Sequence, residues 1–172
     1  MGLFLHLYIK PDGIAPDTWE SVYEESVVLL RAFPAPLMRM KRERIGSQSR
    51  IVYTSDIVCA ADTQTEHWIV TGDMSSYRQA ESFCLYRHLE KQLATRHIAV
   101  TNQHDVLWAS PEGLDHGGGN GMDLFGDKTQ GYPYHLALLA VAILFEVRFP
   151  DRCYLWGDVE SVQIDRMSRW VH

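Results

Sequence analysis

The sequence predicts an α+β fold: a mixed, mostly antiparallel sheet of about five or six strands with about four helices, in one domain spanning 1–172. Three observations lead there. Short apolar runs recur between clusters of Gly, Pro, Asp and Ser, as strands do. Longer segments between them carry apolar residues at helical spacing. One of these, 133–149, is apolar on nearly every side, so it must be central and surrounded by protein.

Taken in order, Leu3, Leu5, Leu7 and Ile9 line one face of a first strand, 3–9. Phe4 and Tyr8 on its other face predict cover on both sides, as for a central strand. After the turn Pro11-Asp12-Gly13, Asp17 is read as the cap of a helix to about Ala32, with Trp19, Val22, Tyr23, Val27 and Leu30 as its buried stripe. Pro34 and Pro36 end it. Strands at 37–45 and 50–58 form a hairpin around Gly46-Ser47-Gln48-Ser49, and His67–Thr71 is a short strand ending in Gly72-Asp73. The spacing of Ala80, Phe83, Cys84, Arg87, Leu89 and Leu93 predicts a helix over 75–95. Ile98–Val100 and Val106–Trp108 read as short strands. Pro133 opens the apolar helix, Cys153–Trp156 is a last strand, and an amphipathic helix covers 160–171. That last pattern stops at 172 without a cap or polar tail, which suggests the N-terminal module of a longer protein.

Composition bounds the function. With 46% apolar and 22% charged residues, 172 residues make an ordinary globular chain. The net charge of −6 argues against a general coat for nucleic acid, so no nucleic-acid partner is expected. That charge is unevenly spread. Six cations and one acid between Arg31 and Arg50 make that segment about +5 and leave the rest about −11. Its cations Arg39, Lys41, Arg42 and Arg44 are candidate contacts for an acidic partner. The alternative is a solvated strand pair whose charges discourage edge-to-edge association. Three widely spaced cysteines without a C-x-x-C pair make neither a disulfide framework nor a zinc site, and suit the cytoplasm. The N-terminus lacks the features of a signal peptide or a myristoylation site, and Leu136–Phe145 is too short to span a bilayer, so no membrane partner is expected.

The longest break in the pattern is the glycine-rich stretch 113–131, which holds seven of the twelve glycines. A loop of this length is functional or disordered. Its candidate contact residues are Asp115, His116, Asn120, Asp123, Asp127 and Lys128. Three catalytic look-alikes fail there. His116-Gly-Gly-Gly copies an esterase oxyanion-hole string, but the chain has no G-x-S-x-G nucleophile. Gly121–Thr129 misses the phosphate-binding loop because Asp127 displaces Lys128 and Thr129 by one position. The acids have calcium-ligand chemistry without EF-hand spacing, and His97, His104, His116 and His135 lack zinc spacing. His135 is read as a core histidine bonded to a carbonyl. No metal or cofactor is expected.

A six-residue echo links Thr71-Gly-Asp-Met-Ser-Ser76 with Trp156-Gly-Asp-Val-Glu-Ser161. Helix capping by Asp73 and Asp158 accounts for it. The alternative is that the two carboxylates converge at parallel strand ends, giving a hydrolase-like or divalent-cation enzyme with the His116 loop. The favoured expectation is a cytoplasmic protein-interaction domain without catalytic activity. It would be either a module of a larger protein, contacting another protein or a following domain, or a small binding protein of the toxin-neutralising immunity kind.

Overall fold

The computed structural model describes residues 2–60, 62, 64–102 and 122–171, with the backbone alone over 96–102. Its elements are β1 (Phe4–Ile9), α1 (Pro16–Ala32), β2 (Leu37–Ile45), β3 (Gln48–Thr54), β4 (Val58–Cys59), β5 (His67–Asp73), β6 (Arg78–Tyr86), α2 (Leu89–Asn102), β7 (Met122–Lys128), α3 (Tyr134–Arg148), β8 (Cys153–Gly157) and α4 (Ser161–Val171). The fold is α+β, with four helices among the described residues. In place of a single mixed sheet, the described strands form two sheets of three and five, and every registered pair is antiparallel.

The smaller sheet has the order β7-β1-β8, with β1 in the middle as its two-faced pattern predicts. In the larger sheet β6 runs along one edge of β5, while β2 and β4 share the other, at Gly72–Asp73 and His67–Trp68. Among the described residues β3 pairs with β2 alone. Between the sheets β6 lies beside β7, and side chains bridge the seam. The buried Gln92 accepts from the Tyr86 N–H at the end of β6 and donates to the Leu124 carbonyl in β7. The Tyr134 hydroxyl stands 3.5 Å from both the Glu81 and Lys128 carbonyls.

Helix α3 is the most enclosed element. It packs on β1, β5 and β8, with α1 and α4 against its other sides. Its residues Ala137–Phe145 are all buried, which is the physical meaning of a helix without a polar stripe. Inward from β1, Leu5, Leu7 and Ile9 are fully buried, while Trp19 of α1 packs on Phe145 and Phe149. No helix among the described residues is long and apolar enough to cross a membrane.

Four local expectations change. The helix predicted over 75–95 is strand β6 followed by α2. Phe83 and Leu85 alternate inward with exposed Ser82 and half-buried Cys84 and Tyr86, and pairing with β5 overrides the helical spacing. Met74–Tyr77 is a turn, with Tyr77 at φ 53°, so no helix starts at Ser75. The predicted strand Ile98–Val100 lies within α2. Asp17 does not cap α1: the cap position is Ala15, Pro16 begins the helix, and Asp17 sits in its first turn. Finally, the β2–β3 connection is shorter than four residues. Ile45 pairs with Gln48 across Gly46-Ser47, and Gly46 takes φ 62°, the first-position requirement of a two-residue II′ turn.

Candidate functional site

The outer face of the smaller sheet gathers most of the described chemistry. Because successive side chains alternate, burying Leu5, Leu7 and Ile9 turns Phe4, His6 and Tyr8 outward. On the adjoining edge strand, Trp156 pairs with His6 and Tyr154 with Tyr8. Trp156 is 52% and Tyr154 36% exposed. The His6 ring lies 5.0 Å from Trp156 and stacks with Phe4 at 6.2 Å.

On the other side of β1, a β-bulge sets the geometry. Leu7 pairs with Phe125 but Tyr8 pairs with Asp123, so Leu124 is an extra residue in β7. Such a bulge re-aims the side chains beyond it. Here Leu124 and Phe125 are both buried, and the Asp123 carboxylate emerges beside Tyr8, 3.6 Å from His6 Nδ1. Burial, and then the Asp123 charge, push the Tyr8 hydroxyl pKa up. Gly126 is the cross-strand partner of His6, and a Cβ there would overlap the imidazole. The glycine is therefore a floor for the ring. Lys128 Nζ stands 5.4 Å from the Phe4 ring centroid, and Lys10 Nζ 5.3 Å from that of Tyr154.

Of the loop candidates, Asp115, His116 and Asn120 lie outside the described residues. Asp123, Asp127 and Lys128 belong to β7 rather than a loop, since antiparallel pairing with β1 absorbs them. Asp127 accepts from the Lys128 N–H, and its charge helps raise the pKa of Tyr134, whose main cause is burial. His6, Tyr8, Tyr154 and Trp156 were not among the sequence candidates. The outward Phe4/Tyr8 pattern was their only signal.

Asp73 ends β5 and Asp158 follows β8, strands of different sheets that are not paired with one another. Asp73 is fully buried and accepts from the Ser76 N–H and hydroxyl, each at 2.7 Å, so it organises the β5–β6 turn. Asp158 accepts from the Phe4 N–H at 2.9 Å. His135 bonds to a hydroxyl, not a carbonyl: Nδ1 lies 2.7 Å from Thr129 Oγ1, which in turn reaches the Leu3 carbonyl at 3.2 Å. Burial lowers the His135 pKa, with Asp158 opposing. Among the described residues no three His, Cys, Asp or Glu side chains come together as a metal-binding group.

The four basic candidates divide by strand face. Arg39 bonds to Asp56, and Lys41 pairs with Glu43, which also takes Arg50 at 3.2 Å. Arg42 and Arg44 point to the opposite face and have no acidic partner among the described residues. They share that face with Met40, Tyr53 and Ile51, through the cross-strand pairs Met40–Tyr53 and Arg42–Ile51. All five are exposed. At the foot of the hairpin a hollow of about 160 Å³ is lined by Leu30, Pro36, Leu37 and Ile57, with Arg31 at its side. Compared with protein-family models, curated proteins and solved structures, the chain matches none of them.

Proposed function

We propose that the chain is a protein-interaction domain without catalytic activity, either a module of a larger protein or a small immunity-type binding protein, and that its β2–β3 hairpin receives an acidic segment of a partner. One observation carries this reading. The hairpin runs past β5, which β2 touches only at Leu37 and Met38, and beyond Met38 its residues are exposed or half-buried on both faces. A free two-stranded ribbon is marginal by itself. Here it displays Met40, Ile51 and Tyr53 on the same face as Arg42 and Arg44. Apolar anchors with arginines are the composition of binding hot spots, and the unpaired cations favour an acidic occupant. The outer edge of β3 also offers backbone groups to an added strand.

The test uses a fluorescein-labelled extended peptide rich in Asp and Glu, titrated by anisotropy at low salt, alongside pull-down of a natural partner. Arg42→Glu with Arg44→Glu should abolish both signals and leave the melting temperature within the range of ordinary surface changes. Met40→Ser with Tyr53→Ser should weaken them independently of salt. If the peptide and the partner are held equally by all these variants, the hairpin is not the contact element.

A further inference from the structure

We infer that the outer face of the β7-β1-β8 sheet is a stacking platform for single-stranded nucleic acid. The hairpin reading does not bear on this, since the two surfaces belong to different sheets. Phe4, Tyr8, Tyr154 and Trp156 occupy adjacent outward positions of β1 and β8, with His6 among them. A soluble sheet normally fills its outward face with polar residues. This face is aromatic in both strands, and its largest ring, Trp156, is half exposed. Bases stack on such rings whatever their sequence, because every base offers a π-face.

Charge selects the occupant. Lys10 reaches the Tyr154 ring from the end of β1, and Lys128 is the cross-strand partner of Phe4. The lysines thus stand at opposite ends of the aromatic row, each over a ring. Phosphates on either side of a stacked base would meet them. Asp123 is held against His6. Asp127 pairs with the inward Leu5, and Asp158 accepts from the Phe4 N–H at 2.9 Å. The net charge of −6 disfavours a general coat but not a local platform. Asp123 supplies one further element. A carboxylate beside an aromatic stack accepts from the exocyclic amino group of cytosine or adenine, whereas a neutral sugar gives the lysines nothing to neutralise.

The test is anisotropy of fluorescein-labelled eight-nucleotide strands of mixed sequence, as RNA and as DNA, titrated with the full chain. Preference between the two arms reports whether the 2′-hydroxyl is read. Binding should weaken with salt, with a log–log slope near that of two or three phosphate contacts, about −1.4 to −2.1. Trp156→Ala and Tyr154→Ala should each weaken it by about five- to a hundredfold, the range for a lost stacked base. Lys10→Gln and Lys128→Gln should each flatten the salt slope by about 0.7. Thermal melts of every variant separate lost binding from lost fold. Absence of binding to both strands overturns the inference, as does equal affinity for a duplex of the same sequence. It is also overturned if Trp156→Ala, still folded, binds like the wild type. Cellohexaose quenching Trp156 fluorescence without salt dependence, while the strands do not bind, makes the face a sugar site instead.

Discussion

The Gln92 side chain donates to the Leu124 carbonyl at 2.8 Å and, through its own oxygen, accepts from the Tyr86 N–H at 2.9 Å. One buried amide thus satisfies a backbone donor of β6 and a backbone acceptor of β7, where the two strands form no ladder. Leu124 is the extra residue of the bulge, so its carbonyl has been turned away from regular pairing with β1.

Gln92→Leu keeps the volume and removes both partners, leaving a buried N–H and a buried C=O unmade. Each unsatisfied group costs about 1–3 kcal/mol. The expected loss is therefore about 2–6 kcal/mol in urea unfolding, larger than for Gln92→Glu at acidic pH, where the protonated carboxyl can both donate and accept. A cost below about 0.5 kcal/mol for Gln92→Leu would show that water replaces the clasp.

His135 predicts a pH dependence. With the Thr129 hydroxyl donating to the Leu3 carbonyl, the ring donates from Nδ1, and Nε2 is buried without a hydrogen-bond partner. Burial holds the folded pKa below 6.5, so the unfolded chain binds the proton more readily. Stability from this residue is therefore intact above about pH 6.5. It falls as the pH drops from there toward the folded pKa, by at most about 1.4 kcal/mol per pH unit, and then levels off. Measured from pH 7 to 5, the stability gap between wild type and His135→Gln should narrow. A constant gap would mean that the ring protonates equally well in both states.

Elements bounded by one dominant period were legible in the sequence. Leu5-Leu7-Ile9, the Trp19–Leu30 stripe and the uniformly apolar 136–145 run each admit one burial pattern, and β1, α1 and α3 follow it. Ambiguity arose where two periods coincide. Phe83 satisfies a helical stripe with Ala80 and Arg87, but also a strand alternation with Leu85, and only the neighbouring β5 decides between them. The 122–128 segment was hidden for another reason. Gly126 reads as a loop residue until the His6 ring is seen above it, and Asp123 reaches His6 only through a bulge that no local pattern announces. The basic hairpin was visible as a charge cluster. Which of its cations are paired depended on strand face, hence on a register set by the two-residue turn.

The His6–Gly126 contact can be tested by a double-mutant cycle. Gly126→Ala places a Cβ inside the imidazole, so the ring must leave Asp123 or the strands must separate. Overpacking of this kind costs about 1–3 kcal/mol. His6→Ala alone should cost the ring's contacts with Phe4 and Trp156 and its pairing with Asp123. In the double variant most of the Gly126→Ala cost should vanish, giving a coupling of at least about 1 kcal/mol between the sites. Additive costs in thermal or urea melts would place the strain in the β7 backbone instead.

Arg87 binds the end of β6 to α1. Its guanidinium approaches Glu20 and Glu66 at 3.4 Å and Glu24 at 2.6 Å, and Glu20 also holds His88 at 3.0 Å. Isolated surface pairs contribute little, but one half-buried cation serving three carboxylates is a network. Arg87→Ala removes it and leaves the three acids to repel one another. The expected destabilisation is about 1–2 kcal/mol at low ionic strength, above the roughly 0.5 kcal/mol of an ordinary surface change. Because the repulsion is screened, the loss should shrink in 1 M salt, where the Debye length is about 3 Å. Arg87→Lys should recover only part, since an ammonium cannot spread its donors across three partners as the planar fork does. A loss that is unchanged by salt and fully recovered by lysine would assign the effect to the packing of the Arg87 stem rather than to its charge.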